Sequence, residues 1–299
     1  MTDTVVHSGK VPIAVRDHGG TGPPVLLVHG AGGHLLGWRD FPRRLTGAHR
    51  VVSLDLRGHG HSGDGDWTAD AVLSDLEAVA DHFGFRDPAI VGHSLGGMLA
   101  AMWTRRHPDG PGVSIDGHRS AATRPANYAG IPAAQLEADL TALTAGFDAE
   151  VAVMSGPLPA QLLESMRRNA RTLDPDEPQA VLDARLRRNL VERDGRTFMR
   201  PDAEVLHAMR VMDEFVDAVP VVKQLTGRFL MLLSTRDSPG LPPQFADLMA
   251  AHRAGLRRDL ADVPSNVTVA DIDASHDAIR EAPGEVAGRV LGFLTGPTP

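Results

Sequence analysis

Six short apolar runs, most of them separated by helical patterns, constrain the fold of this chain more than any other feature. They lie at residues 25–28, 51–54, 89–91, 112–115, 229–233 and 267–272. Continuous apolar runs of this length are typical of strands buried on both faces, and strands that alternate with helices pair in parallel. The pattern therefore predicts an α/β fold with a mostly parallel central sheet and helices on both faces.

A hairpin and several helices are predicted around these strands. Residues 4–7 and 11–17 are expected to pair around a turn at residues 8–10. Apolar residues recur at helical spacing in four further segments, with Thr68 as a suitable N-cap of the first. These predicted helices cover residues 68–83, 95–107, 243–261 and 283–294.

Strand signals are absent from the middle of the chain. Helical patterns occupy this region instead, at residues 133–145, 161–172, 179–191 and 202–217. We expect residues 118–219 to form an all-helical cap, inserted into a core made of residues 1–117 and 220–299. A chain of 299 residues is long enough for one large α/β core with such an insertion.

Composition excludes several kinds of site and partner. The chain has no cysteine, so it has no disulfide, catalytic thiolate or cysteine-ligated metal. A net charge of −8 argues against a nucleic-acid partner, which requires a basic face. The N-terminal residues lack a signal-peptide pattern, and no apolar run approaches the roughly 20 residues that span a bilayer. These observations predict a cytoplasmic protein without a membrane partner.

Residues 92–96 read Gly-His-Ser-Leu-Gly and match the pattern G-x-S-x-G. They lie directly after a predicted buried strand and directly before a predicted helix. A serine in this context sits on a tight turn, and the glycines on either side keep the neighbouring chain from colliding. The helix N-terminus also offers N–H groups to a developing negative charge. The context therefore predicts Ser94 as a nucleophile.

Three motifs in the same order make the chain resemble the α/β-hydrolase superfamily over nearly its whole length. A His-Gly pair at residues 29–30 follows the first parallel strand, and residues 55–62 read Asp-Leu-Arg-Gly-His-Gly-His-Ser after the next. The serine motif then follows a third strand. The resemblance implies that the N–H groups of Ala31 and Leu95 form an oxyanion hole. It also implies that neither a cofactor nor a metal is needed.

A serine hydroxyl needs a base to take its proton, and that base is usually histidine. In the family the order along the chain is serine, acid, histidine, which leaves His207, His252 and His276 as candidates. His207 falls in the predicted cap and His252 falls within a predicted helix. His276 follows a predicted strand in a loop, so we expect His276 to be the base.

Two carboxylates are placed to orient this base. Asp237 follows the predicted strand at residues 229–233, which is the usual position of the acid in the family, although Ser234 replaces the common glycine. Asp116 follows the strand at residues 112–115, where a minority of relatives place the acid. We predict Asp237 as the acid, with Asp116 as the alternative acid or a pocket residue.

The resemblance implies a serine hydrolase that cleaves a carboxylic ester or lactone through an acyl-enzyme. Thioesters, amides and C–C bonds are cleaved by similar machinery. Dehalogenases and epoxide hydrolases of the family use an aspartate nucleophile, so Ser94 argues against their chemistry. A lyase or oxygenase-like enzyme and a ligand-binding protein are the alternative functions, because the fold alone does not prove an activity.

The cap is expected to set the choice of substrate. Its small and apolar residues favour a medium-sized, fairly apolar small molecule. Trp38, Tyr128 and Phe147 are candidate pocket residues, with ordinary core packing as the alternative for each. The sequence leaves a homodimer open.

Overall fold

The computed structural model describes residues 2–296, so the ends of the predicted core, at residues 1 and 297–299, lie outside the described residues. The strands are β1 (Thr4–Ser8), β2 (Val11–Gly19), β3 (Pro24–Val28), β4 (Arg50–Leu54), β5 (Ala89–His93), β6 (Gly112–Ile115), β7 (Leu190–Arg193), β8 (Arg196–Met199), β9 (Phe229–Ser234) and β10 (Val267–Ile272). The helices are α1 (Phe41–Leu45), α2 (Ala69–His82), α3 (Leu95–Arg106), α4 (Ala133–Met154), α5 (Ala160–Leu173), α6 (Gln179–Arg188), α7 (Ala203–Val211), α8 (Asp213–Val216), α9 (Val219–Val222), α10 (Ala246–Asp259), α11 (Ala278–Glu281) and α12 (Pro283–Thr295). Short 3-10 helices lie at Leu35–Trp38, Pro125–Asn127 and Pro243–Phe245.

The central sheet has eight strands in the order β1-β2-β4-β3-β5-β6-β9-β10. β1 and β2 pair as an antiparallel hairpin, and β2 also runs antiparallel to β4. All other neighbours in this sheet are parallel. The predicted α/β architecture is therefore confirmed, and each of the six apolar runs forms a strand of this sheet.

Helices cover both faces of the sheet. Successive side chains of a strand point to opposite faces, so one strand contributes to the core on each side. Leu26 and Val28 of β3 belong to a buried cluster that contains side chains of α2 and α3. Val25 and Leu27 belong to a second cluster, formed with α1 and α12. The predicted N-cap of helix α2 is also present, since Thr68 Oγ1 accepts a hydrogen bond from the N–H of Ala71 at 3.1 Å. No helix formed by residues 2–296 combines the length and the hydropathy needed to cross a membrane.

The segment between β6 and β9 interrupts the sheet once and contains α4 to α9. It also contains an antiparallel hairpin, β7–β8, so the predicted all-helical cap is corrected to a mainly helical one. The predicted helix at residues 179–191 ends at Arg188, because the chain then enters β7. Asp194 and Gly195 join the two strands with φ angles of 50° and 68°, as a two-residue hairpin turn requires. This Asp-Gly pair was the available sequence signal.

Candidate active site

The turn between β5 and α3 holds Ser94 in an unusual backbone conformation, with φ 53° and ψ −121°. Residues other than glycine rarely adopt a positive φ, and such conformations cluster at functional sites. The flanking glycines are required because a side chain at either position would collide with neighbouring backbone. A Cβ atom on Gly92 would lie 1.9 Å from the carbonyl oxygen of Gly96, and one on Gly96 would lie 2.0 Å from that of Val28. The local packing therefore explains the motif residue by residue.

His276 lies in the loop after β10, and its Nε2 is 3.0 Å from Ser94 Oγ. Several hydrogen bonds fix this loop, among them the following two. The N–H of Ser275 donates to Glu281 Oε2 at 2.9 Å, and His93 Nε2 donates to the carbonyl oxygen of His276 at 2.7 Å. Burial lowers the pKa of His93 to about 4, so this side chain is neutral at ordinary pH. The residue before the serine thus ties the nucleophile turn to the histidine loop.

The carboxylate that reaches His276 belongs to Asp116, directly after β6. Its Oδ2 accepts a hydrogen bond from His276 Nδ1 at 2.7 Å, and its Oδ1 accepts one from the N–H of Ser234 at 2.9 Å. His118 Nε2 lies 3.5 Å from the same Oδ1. Burial would raise the pKa of Asp116, but His118 and His276 outweigh burial and hold this pKa well below its usual range. The buried group is therefore an ionised carboxylate.

Asp237, the predicted acid, does not occupy this position. Its side chain is 39% exposed and forms an ion pair with Arg253 on α10. β9 ends at Ser234, whose N–H is already used by Asp116. Asp237 lies further along the loop, at the wall of the cavity beside α10. The prediction of Asp237 as partner of His276 is corrected to Asp116, which was the alternative.

The three side chains together form a hydrogen-bonded line from a hydroxyl through an imidazole to a carboxylate. Burial would lower the pKa of His276, but the hydrogen bond and the charge of Asp116 outweigh burial and raise this pKa above its usual value. In such a line the carboxylate fixes the tautomer of the ring, and the free nitrogen of the ring can take the proton of the hydroxyl. The arrangement can therefore generate a serine nucleophile.

The predicted oxyanion-hole residues both border the same cavity as Ser94. Leu95 is the first residue of α3, where an N–H has no acceptor within the helix. Ala31 lies in a turn closed by a hydrogen bond from the N–H of Gly33 to the carbonyl oxygen of Gly30, at 2.9 Å. A Cβ atom on Gly30 would lie 2.9 Å from Ser94 Cβ, so this turn runs against the nucleophile. The donor role of the two N–H groups stays a prediction.

A cavity of about 800 Å³ opens above Ser94 and His276. Apolar residues make up much of its lining, and they are Leu95, Met98, Leu143, Phe147, Met209, Phe215, Leu241, Phe245 and Met249. Of the three aromatic candidates, Phe147 lines the cavity. Trp38 is buried in the core against Phe41, with ring centroids 5.3 Å apart, and Tyr128 is buried in a separate cluster.

His118 is a site residue that the sequence analysis missed. Its Nδ1 accepts a hydrogen bond from the N–H of Arg119 at 2.9 Å. In the neutral ring the proton therefore sits on Nε2, which faces Asp116. The one signal in the sequence was its position close after the alternative acid.

Comparison with known proteins gives a family match over most of the chain. The model of the alpha/beta hydrolase family matches residues 25–289. Over 91 residues the chain is 43% identical to pimeloyl-[acyl-carrier protein] methyl ester esterase of Methylococcus capsulatus, which covers 30% of this chain and 34% of that protein. Over 91 residues it is 32% identical to epoxide hydrolase 4 of Mus musculus, which covers 29% of this chain and 25% of that protein. The chain thus matches between a quarter and about a third of the length of these relatives.

A solved structure extends the likeness to the whole fold. E-2-(acetamidomethylene)succinate hydrolase superposes with a TM-score of 0.67 over 99% of both chains, at 20% sequence identity. At that identity the likeness is one of fold.

Proposed function

Since the chain belongs to the alpha/beta hydrolase family, we propose that it is a serine hydrolase that cleaves carboxylic esters or lactones. The observation that carries the proposal is the hydrogen-bonded line through His276, which joins Ser94 Oγ at 3.0 Å and Asp116 Oδ2 at 2.7 Å. In this proposal Ser94 is the nucleophile, His276 is the base, and Asp116 takes the role first assigned to Asp237.

The first half of the reaction acylates Ser94. His276 Nε2 accepts the proton as Ser94 Oγ forms a bond to the substrate carbonyl carbon, and the π electrons of the carbonyl move to its oxygen. The N–H groups of Ala31 and Leu95 hold this oxyanion. When the tetrahedral species collapses, the bond to the leaving alkoxide breaks, and His276 gives it the proton. Asp116 stabilises the imidazolium between these two transfers.

The second half releases the acid. A water molecule takes the place of the alcohol and attacks the acyl carbon while His276 removes its proton. Collapse of the second tetrahedral species breaks the bond to Ser94 Oγ, which recovers its proton from His276. With a lactone the alcohol stays attached to the acyl group, so the product is a single hydroxy acid.

The cavity supports a substrate of medium size and mainly apolar character. Its volume of about 800 Å³ suits a small molecule, and apolar side chains from both the core and the cap line it. The likeness to a protein named as a methyl ester esterase also supports an ester as the reacting group.

Hydrolysis of p-nitrophenyl esters of increasing acyl length tests this proposal. We expect turnover by the wild type and a loss of about 10⁵-fold or more in Ser94→Ala, because the reaction has no other nucleophile. The best acyl length measures the size of the pocket. A serine-directed fluorophosphonate should label the wild type and leave Ser94→Ala unlabelled.

Two results would reject the proposal in different ways. Labelling at Ser94 with no turnover of any ester or lactone would indicate a lyase or another reaction of the same nucleophile. Neither labelling nor turnover would indicate a ligand-binding protein.

A further inference from the structure

One stretch of the cap enters the core beside the turn that carries Ala31. Arg188 is the last residue of α6, and its side chain is 3% exposed. Its Nε donates to Asp55 Oδ2 at 2.9 Å, and its Nη1 donates to Asp3 Oδ2 at 2.7 Å. A guanidinium of the cap is therefore buried in the core, where two carboxylates compensate its charge. Loss of one member of such a buried pair leaves an uncompensated charge.

Asp55 transmits this contact to the segment that follows Ala31. It is fully buried, and its Oδ1 accepts a hydrogen bond from the N–H of Leu35 at 2.7 Å. Its Oδ2 also accepts one from the N–H of His61 at 2.8 Å. Burial would raise the pKa of Asp55, but Arg188 outweighs burial and lowers it, so the group is an anion. The guanidinium of Arg188 thus keeps Asp55 charged, and Asp55 in turn holds Leu35 at the end of the segment that follows Ala31.

The next residue of the cap reaches the turn itself. Asn189 Nδ2 donates to the carbonyl oxygen of Gly32 at 2.7 Å. Gly32 has a φ of 66° and follows Ala31 directly. Glycines stand on both sides of Ala31, and glycine leaves a backbone free to take many conformations. Besides the hydrogen bond that closes the turn from Gly33 to Gly30, contacts from outside the turn therefore help to keep the Ala31 N–H in one direction.

We propose that Arg188 and Asn189 are positioning residues, which hold the Ala31 turn in the orientation that stabilises the oxyanion. The inference rests on the proposed function, and it couples the cap to the reaction at Ser94 as well as to the choice of substrate. Donors that are fixed before the reaction stabilise developing charge without reorganisation, so a loosened turn lowers the rate of the chemical step.

The test compares Asn189→Leu with Arg200→Gln in the full-length protein. Leucine has the same branched arrangement of non-hydrogen side-chain atoms as asparagine but no donor for Gly32. Arg200 is the matched control, because it also ties the cap to the core, through the carbonyl oxygen of Gly60 at 2.9 Å, without contacting the Ala31 turn. For each variant, we would measure kcat and KM on the best p-nitrophenyl ester, and the thermal midpoint. We would also measure inhibition by an alkyl boronic acid, whose serine adduct places an oxygen in the oxyanion hole.

For Asn189→Leu we expect kcat to fall by about tenfold with unchanged KM, and the boronic acid to bind about tenfold more weakly. Direct loss of an oxyanion donor costs about 10²–10³-fold, and an indirect support should cost less. Arg200→Gln should match the wild type in both. Arg188→Lys keeps the positive charge but loses the separate guanidinium nitrogens that donate to Asp55 and Asp3. Its loss in kcat and in boronate affinity should lie between that of Arg200→Gln and that of Asn189→Leu.

Unchanged kcat and boronate affinity in Asn189→Leu would overturn the inference while leaving the proposed function intact. Equal losses in Asn189→Leu and Arg200→Gln, together with a lowered thermal midpoint, would also overturn it, because they indicate a general effect on stability. A wild type that neither hydrolyses esters nor reacts with the fluorophosphonate would reject the proposed function and the inference with it.

Discussion

An aspartate lies directly after β6 and another lies in the loop after β9, and the surroundings of the two differ in exposure and in hydrogen-bond partners. Asp116 after β6 is 11% exposed and accepts hydrogen bonds from His276 and from a backbone N–H. Asp237 after β9 is 39% exposed and pairs with Arg253 at the wall of the cavity. A carboxylate at the end of a parallel strand is thus insufficient to identify the acid. Burial and the direction of the next turn decide which one meets the histidine.

The largest expected effect comes from Asp116→Asn. We expect kcat to fall by about 10⁴-fold, because an amide cannot hold the productive tautomer of His276 or stabilise its imidazolium. The same ester assay as for Ser94→Ala measures it, and circular dichroism checks the fold. A loss of less than tenfold would show that another group, such as Asp237, serves as the acid.

The pH dependence of kcat/KM gives a second test of the contact between Asp116 and His276. A protonated His276 cannot accept the proton of Ser94, so the rate should fall by about tenfold per unit of pH below the pKa of His276. Asp116 raises that pKa above the usual value of 6.5, so the acidic limb should begin above pH 6.5. Asp116→Asn removes the charge that raises the pKa of His276, so the acidic limb of the kcat/KM profile should move to lower pH. A limb at the same pH in both proteins would contradict this assignment.

A smaller effect is expected at His118. In His118→Phe the carboxylate of Asp116 loses a neighbour that favours its charged form. We expect kcat/KM to fall by at most about tenfold, because His118 Nε2 lies 3.5 Å from Asp116 Oδ1, a weaker contact than a normal hydrogen bond, and because other partners of Asp116 remain. His118→Gln retains an N–H donor, and it should recover part of the rate. Equal rates in His118→Phe and the wild type would show that His118 only packs against Asp116.

The smallest effect is expected at Asp237. Asp237→Asn should leave kcat within about twofold of the wild type, because exposed ion pairs contribute at most about 1 kcal/mol. The unpaired Arg253 can be hydrated at the cavity wall. A change confined to KM would fit a residue that lines the pocket, whereas a loss similar to that of Asp116→Asn would reverse the comparison.

The fold could be predicted almost completely from the sequence, because the apolar runs and helical spacings are local signals. Ser94 and His276 could be predicted as well, one from its motif and the other from chain order and loop position. The choice between Asp116 and Asp237 could not, because it depends on a positive φ of 50° at Asp116 and on the N–H of Ser234 in a neighbouring strand. Hydrogen bonds between strands leave no periodic trace in a sequence.

The cap was the other region where local signals failed. Arg188 and Asn189 fall within the predicted helix at residues 179–191, and their partners Asp55 and Gly32 lie more than a hundred residues earlier. A buried arginine is recognisable when its carboxylate partner is known, and only the folded chain supplies that partner.

The position of Asp116 has a consequence for how such a protein can diversify. With the acid directly after β6, the loop after β9 carries none of the proposed catalytic groups, while Ser238, Leu241 and Pro242 of that loop line the cavity. Mutations at these three positions can accumulate at little risk to the reaction, so the preference for one ester over another can drift or be engineered there. The chemistry and the specificity of the protein can thus evolve on separate segments of its chain.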